Sequence, residues 1–189
     1  MDINGYEISP INPGWIRKKK DEKYIGTDFT RIFMFFVINS PCTESSTSGI
    51  DIKEYGWSKD IWKSDKLKKV LLDVGNLKRN ENFFVAKKTD EMKKTCEKAK
   101  TKKNFHSNRK KEKIVIYKSK PNEFLSICNH IRNSLAHGRF NIFDGINEDD
   151  IYVFEDGIKR NGKIQVRSRI ILKKSTLLKW IEILEKGSL

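Results

Sequence analysis

The chain has 189 residues, 37% of them hydrophobic with 11 Phe and 4 Trp, which is enough apolar mass for one folded domain over residues 1–189 and argues against global disorder. Its 39 Lys and Arg against 25 Asp and Glu leave a formal charge of +14, a field that concentrates polyanions, nucleic acids first among them. The most apolar stretch, 32–38, is far too short to cross a bilayer, and the first residues lack the basic start and apolar run of a secretory signal, so a cytoplasmic protein without membrane association is expected.

Residues 1–26 read as an irregular arm punctuated by Pro10, Pro13 and Gly14, with a basic block at 17–20. Thr27 or Asp28 caps a helix through about Asn39 that is apolar almost all round, which suits the centre of a bundle or an interface. Ser40-Pro41 ends it, and a polar loop follows to Gly49. A second helix is expected over 58–74, with Ile61, Trp62, Leu67, Val70 and Leu71 as its apolar set and Gly75 as its stop. Residues 80–85 read as a connector or a short helix. The segment 89–113 is dense in Lys, with only Met92, Cys96 and Ala99 able to pack; it reads equally as a solvated or mobile stretch and as an RNA-contacting one, where Phe105 and His106 would stack on bases. Lys102, Lys103, Arg109, Lys110 and Lys111 here, with Arg139 further on, are the candidate RNA-binding residues.

After an apolar run at 114–117 comes the stretch where helical periodicity and able side chains coincide, residues 122–140. Phe124, Ile127, Cys128, Ile131 and Leu135 form one apolar stripe, Pro121 suits the first turn, and Gly138 supplies a left-handed stop. Beyond it the period switches to alternation: strand-like runs at 151–155 and 163–172, joined by a turn-rich DGIKRNG, make a β-hairpin within 141–172, and Ser175 caps a final helix to about Lys186. Cys42, Cys96 and Cys128 cannot all pair and show no zinc-holding spacing, and no phosphate-binding glycine loop or metalloprotease pair is present. The acidic pairs Asp149-Asp150 and Glu155-Asp156 fall at a loop and a hairpin turn, where solvated acids are ordinary, so neither a metal nor a cofactor is expected.

The run IRNSLAHGRF, residues 131–140, resembles the signature of the HEPN superfamily, helical domains named for higher eukaryotes and prokaryotes nucleotide-binding: an arginine, a polar neighbour, and a histidine near a helix end. Arg132, Asn133 and His137 match those three positions, and the likeness is greatest to HEPN proteins of phage-defence and toxin–antitoxin systems. The match covers about a tenth of the chain. It implies a mainly α fold, a HEPN-like helical bundle here extended by the C-terminal β-hairpin and final helix. It also implies a homodimer with the motifs in one cleft, and a metal-independent endoribonuclease. In that chemistry the RNA 2′-hydroxyl attacks the adjacent phosphate and leaves a 2′,3′-cyclic phosphate. Arg132 would neutralise the phosphate, His137 would be the acid/base group, and Asn133 would orient one or the other. A cognate antitoxin or regulatory protein is the partner such a toxin implies. A non-catalytic nucleotide- or RNA-binding module is the alternative.

The helical wheel complicates this assignment. Asn133 and His137 share a face with His130, an accessory candidate that matches nothing in the signature, whereas Arg132 and His137 lie about 140° apart. A working site therefore requires a distorted last turn, a long reach by Arg132, or a second copy of the helix.

Overall fold

The computed structural model describes residues 26–41, 50–102, 105, 109–160 and 163–189. The expected arm up to residue 25, the loop at 42–49 with Cys42, and both Lys103 and His106 lie outside the described residues. Helix α1, Thr27–Phe33, continues as a π-helical turn, Met34–Ile38; it buries Ile32, Phe35 and Phe36 but leaves Met34 and Ile38 exposed. The expected helix at 58–74 is two pieces, a 3-10 turn Lys59–Lys63 and α2, Asp65–Val74, because Ser64 between them is extended at φ −75°, ψ 120°. Then follow β1, Phe83–Ala86; α3, Met92–Lys98; β2, Lys113–Tyr117; α4, Glu123–Ala136; β3, Phe140–Phe143; β4, Ile151–Arg160; β5, Lys163–Lys173; and α5, Lys174–Lys186.

The five strands form one mixed sheet in the order β1-β2-β5-β4-β3, with β1 and β2 parallel and the remaining neighbours antiparallel. This overturns the expected mainly α, HEPN-like bundle: the fold is α/β. The hairpin β4–β5 was legible, but β1, β2 and β3 were not. They are four or five residues long, and β1 and β2 pair across about 30 residues while β2 also pairs with the distant β5. Such short apolar runs carry no periodicity that separates strand from helix or loop.

Side-chain alternation divides the sheet between two cores. Ile114, Ile116, Phe140, Tyr152, Phe154, Ile170 and Leu172 face the helices and pack with Phe36, Leu71, Phe124, Ile127, Ile131, Trp180 and Ile181. On the other face, Phe84 and Val115 meet Met92 and Cys96 of α3, while Val153 and Ile171 meet Phe105. Phe105 is 2% exposed, so it is a core residue and not a base-stacking one. Both faces are thus covered, which is why 114–116 and 170–172 read as unbroken apolar runs.

Helix α4 is well bounded. Asn122 Oδ1 accepts from the Phe124 and Leu125 N–H groups, which makes Asn122 the cap and puts Pro121 ahead of it. At the other end Gly138 takes φ 63°, Gly138 N donates to the Leu135 carbonyl at 3.2 Å and Arg139 N to that of Ser134 at 2.7 Å. This Schellman closure sends the chain directly into β3, whose Phe140 pairs with Phe154 of β4. The motif residues are thereby set against the hairpin.

Candidate functional site

His130 is fully buried at the α4–β4 junction. Its Nδ1 lies 2.7 Å from Asp156 Oδ2 and its Nε2 lies 2.7 Å from the Tyr117 carbonyl oxygen. A carbonyl can only accept, so Nε2 carries a proton. Burial alone would push the Asp156 carboxyl up, but the hydrogen bond and charge of His130, the charge of Arg167 and the Asn133 amide outweigh it and hold the group below its usual range. Both ring nitrogens of His130 are thus engaged, one by the Asp156 carboxyl and one by a backbone carbonyl, in a buried hydrogen-bonded pair.

Asn133 extends this network towards the surface. Its Nδ2 donates to the same Asp156 Oδ2 at 3.4 Å, and its Oδ1 accepts from Arg132 Nη1 at 3.1 Å. The shared oxygen places His130 and Asn133 on one face, as the wheel requires. Arg132, about 100° round the helix from Asn133, is drawn back by that bond, so its reach follows from its neighbour. The guanidinium is half-buried, and its Nε is buried without a hydrogen-bond partner among the described residues. His137 occupies the C-cap at φ −98°, ψ 8°, with its side chain exposed. Along one helix face the chain thus presents a buried His130, a half-buried Asn133 and an exposed His137.

Two parts of this arrangement differ from the sequence expectations. His130, expected at the edge, is the most firmly held of the group. Asp156 is not a solvated acid of a hairpin turn but lies inside β4, 3% exposed, at a register shift between Asp156 and Gly157. A signal for it existed, because Tyr152, Phe154 and Asp156 share strand parity and the first two are core residues. Its neighbour Glu155 faces the other way and pairs with Arg169 at 2.8 Å; burial pushes its carboxyl up to about 7 although the Arg169 charge opposes this. Arg169 also donates to the Thr101 and Lys102 carbonyls and lies 4.9 Å over the Phe105 ring, which docks the described part of the lysine-rich segment on the sheet. Asp149, of the other acidic pair, accepts from the Ser175 N–H and hydroxyl at 2.9 and 2.8 Å at the start of α5.

The described candidate RNA-binding residues have different partners. Lys102 pairs with Glu97 at 2.9 Å. Arg109 lies 3.8 Å over the Phe143 ring, and with Lys110, Lys111, Lys78 and Lys173 it lines a cleft of about 350 Å³. Ile151 also lines that cleft, five residues along β4 from Asp156, which is about 17 Å at ~3.3 Å per residue. Of the set, Arg139 stays beside the motif, with Nη1 donating to the Gly157 carbonyl at 2.7 Å.

Among the described residues, no helix is long and apolar enough to cross a membrane. Compared with models of known families, with curated proteins and with solved structures, the chain matches none, so its site is read from its own side chains.

Proposed function

We propose that this chain is a metal-independent endoribonuclease that uses Arg132, Asn133 and His137 for chemistry of the HEPN kind on an α/β fold in place of a bundle. One observation carries it: the hydrogen-bonded series His130–Asp156–Asn133–Arg132 holds the two polar residues of the motif in place, one turn before an exposed histidine. Arg132 supplies a fixed positive charge for the phosphate oxygens, with its donors in a planar fork. His137 takes the proton from the 2′-oxygen as that oxygen attacks phosphorus, or gives one to the departing 5′-oxygen. The P–O5′ bond breaks as the P–O2′ bond forms, leaving a 2′,3′-cyclic phosphate and a 5′-hydroxyl. His130, with both nitrogens engaged, is a positioning residue. The described residues of one chain therefore offer one exposed imidazole, and a homodimer would bring the second acid/base group that the two proton transfers call for. A nuclease of this kind, acting as a defence effector or toxin in the cytoplasm, would be restrained by a cognate antitoxin or regulatory protein.

Incubation of the purified chain with total RNA in EDTA, followed by mapping of the ends, tests this. Wild type is expected to leave cyclic phosphates, and Arg132→Ala and His137→Ala to lose about 10²-fold or more in rate while remaining folded. Full cleavage by both variants would overturn the assignment. Intact RNA with tight, salt-sensitive binding would instead mark a binding module, a reading favoured by the engagement of His130 on both nitrogens.

A further inference from the structure

A groove of about 430 Å³ opens at the first turn of α4, where Glu123 and Leu125 line it. One wall is the segment 118–122, which doubles back along the helix: Asn129 Nδ2 donates to Ser119 Oγ at 3.3 Å, Lys120 N to Ser126 Oγ at 3.0 Å, and Asn122 caps the first turn. Lys118, also in the lining, directly precedes the Ser119 that Asn129 holds, and Asn129 lies one turn before Asn133. Its lining holds Trp62, Lys59, Lys63, Lys68 and Lys118. The Trp62 ring is half-buried and stacks on Phe124, centroids 6.3 Å apart and planes at 15°. The carboxylates nearby are engaged: Asp65 with Lys68 at 2.9 Å and Glu123 with Arg79 at 2.8 Å. Among the described residues, Lys59 and Lys118 are exposed cations outside any ion pair. Asn122 already occupies the first free N–H groups of α4, so the helix end itself is not the attraction.

We infer that this groove takes single-stranded RNA, with a base stacked on Trp62 and the backbone phosphates against Lys59 and Lys118, and leads the strand to Arg132 and His137; this rests on the ribonuclease reading. A single strand exposes base faces that a rigid aromatic can hold, whereas a duplex has them stacked internally.

The test measures anisotropy of a labelled single-stranded oligoribonucleotide on full-length His137→Ala protein, alone and combined with Trp62→Ala, Trp62→Phe, or Lys59→Glu with Lys118→Glu. Trp62→Ala is expected to weaken binding about tenfold and Trp62→Phe to retain most of it. The double lysine change, at exposed positions that leave the core intact, is expected to weaken binding and reduce the salt slope by about 1.4, from ~0.7 per phosphate contact. Undiminished affinity in both the Trp62→Ala and the lysine variants would overturn the groove. So would competition by poly-glutamate equal to that by RNA, or an equal loss of duplex binding in Trp62→Ala. Wild type that leaves RNA uncut while the groove variants lose binding would refute the nuclease and keep the groove; cutting unaffected by the groove variants would do the reverse.

Discussion

Burying a histidine against a carboxylate is costly unless their donors and acceptors are used, and at His130 both ring nitrogens are. The pair then fixes Asn133, and through it Arg132, without touching substrate. Asp156→Asn would remove the buried carboxylate that His130 and Asn133 both contact, and is expected to destabilise the fold by about 3–5 kcal/mol in urea unfolding at pH 7. The pH dependence has a definite sign. Because the folded Asp156 carboxyl lies below its unfolded value, its contribution is present above about pH 3.9 and is lost as pH falls through the lower folded value. The gap between wild type and variant should therefore close on acidification below about pH 4. A gap that stays constant to pH 2 would show that the carboxylate charge is not what matters. At this scale the sequence displayed the three motif residues plainly, but the identity of their support did not follow from it. His130 and Asp156 are 26 positions apart and meet only through packing.

Helix α4 shows how well element ends are written in sequence. Gly138 at φ 63° ends it where a left-handed stop was expected, whereas the cap is Asn122 and Pro121, expected in the first turn, lies ahead of it. Gly138→Ala would force an L-residue into that left-handed conformation, at a cost of about 1–2 kcal/mol. The Schellman closure sets His137 between α4 and β3, so this variant is expected to lose more activity than its fall in melting temperature explains; activity falling only in step with the folded fraction would oppose that. The strands were legible only where they were long and joined by a turn. Lys113–Tyr117 was visible as an apolar β-branched run, yet its place depends on parallel pairing with Phe83–Ala86, a contact no local pattern encodes. The expected helix at 58–74 split because a local seam at Ser64 lets Trp62 turn back onto Phe124.

For the whole molecule, the +14 charge is spread unevenly, with one lysine-rich cleft at one end of the sheet and the α4 groove leading to the other. On the proposed chemistry, the single exposed imidazole among the described residues would make assembly part of the reaction. Sedimentation at micromolar concentration is expected to find a particle of twice 22.1 kDa, with specific activity falling on dilution as the dimer parts. A monomer with concentration-independent specific activity would place both proton transfers within one chain.

By itself the sequence determined the charge, the bounded amphipathic helix that carries Arg132, Asn133 and His137, the hairpin after it and the closing helix, because each depends on residues within a few turns of one another. Only the tertiary structure decided that a five-stranded sheet stands where a bundle was expected, and that Asp156 is buried beneath the motif. It likewise decided that Arg132 turns towards Asn133 and that Trp62 lines a groove at the first turn of α4. Strand pairing and buried ion pairs join residues distant in sequence, so their partners are chosen by packing and desolvation and leave no periodic trace.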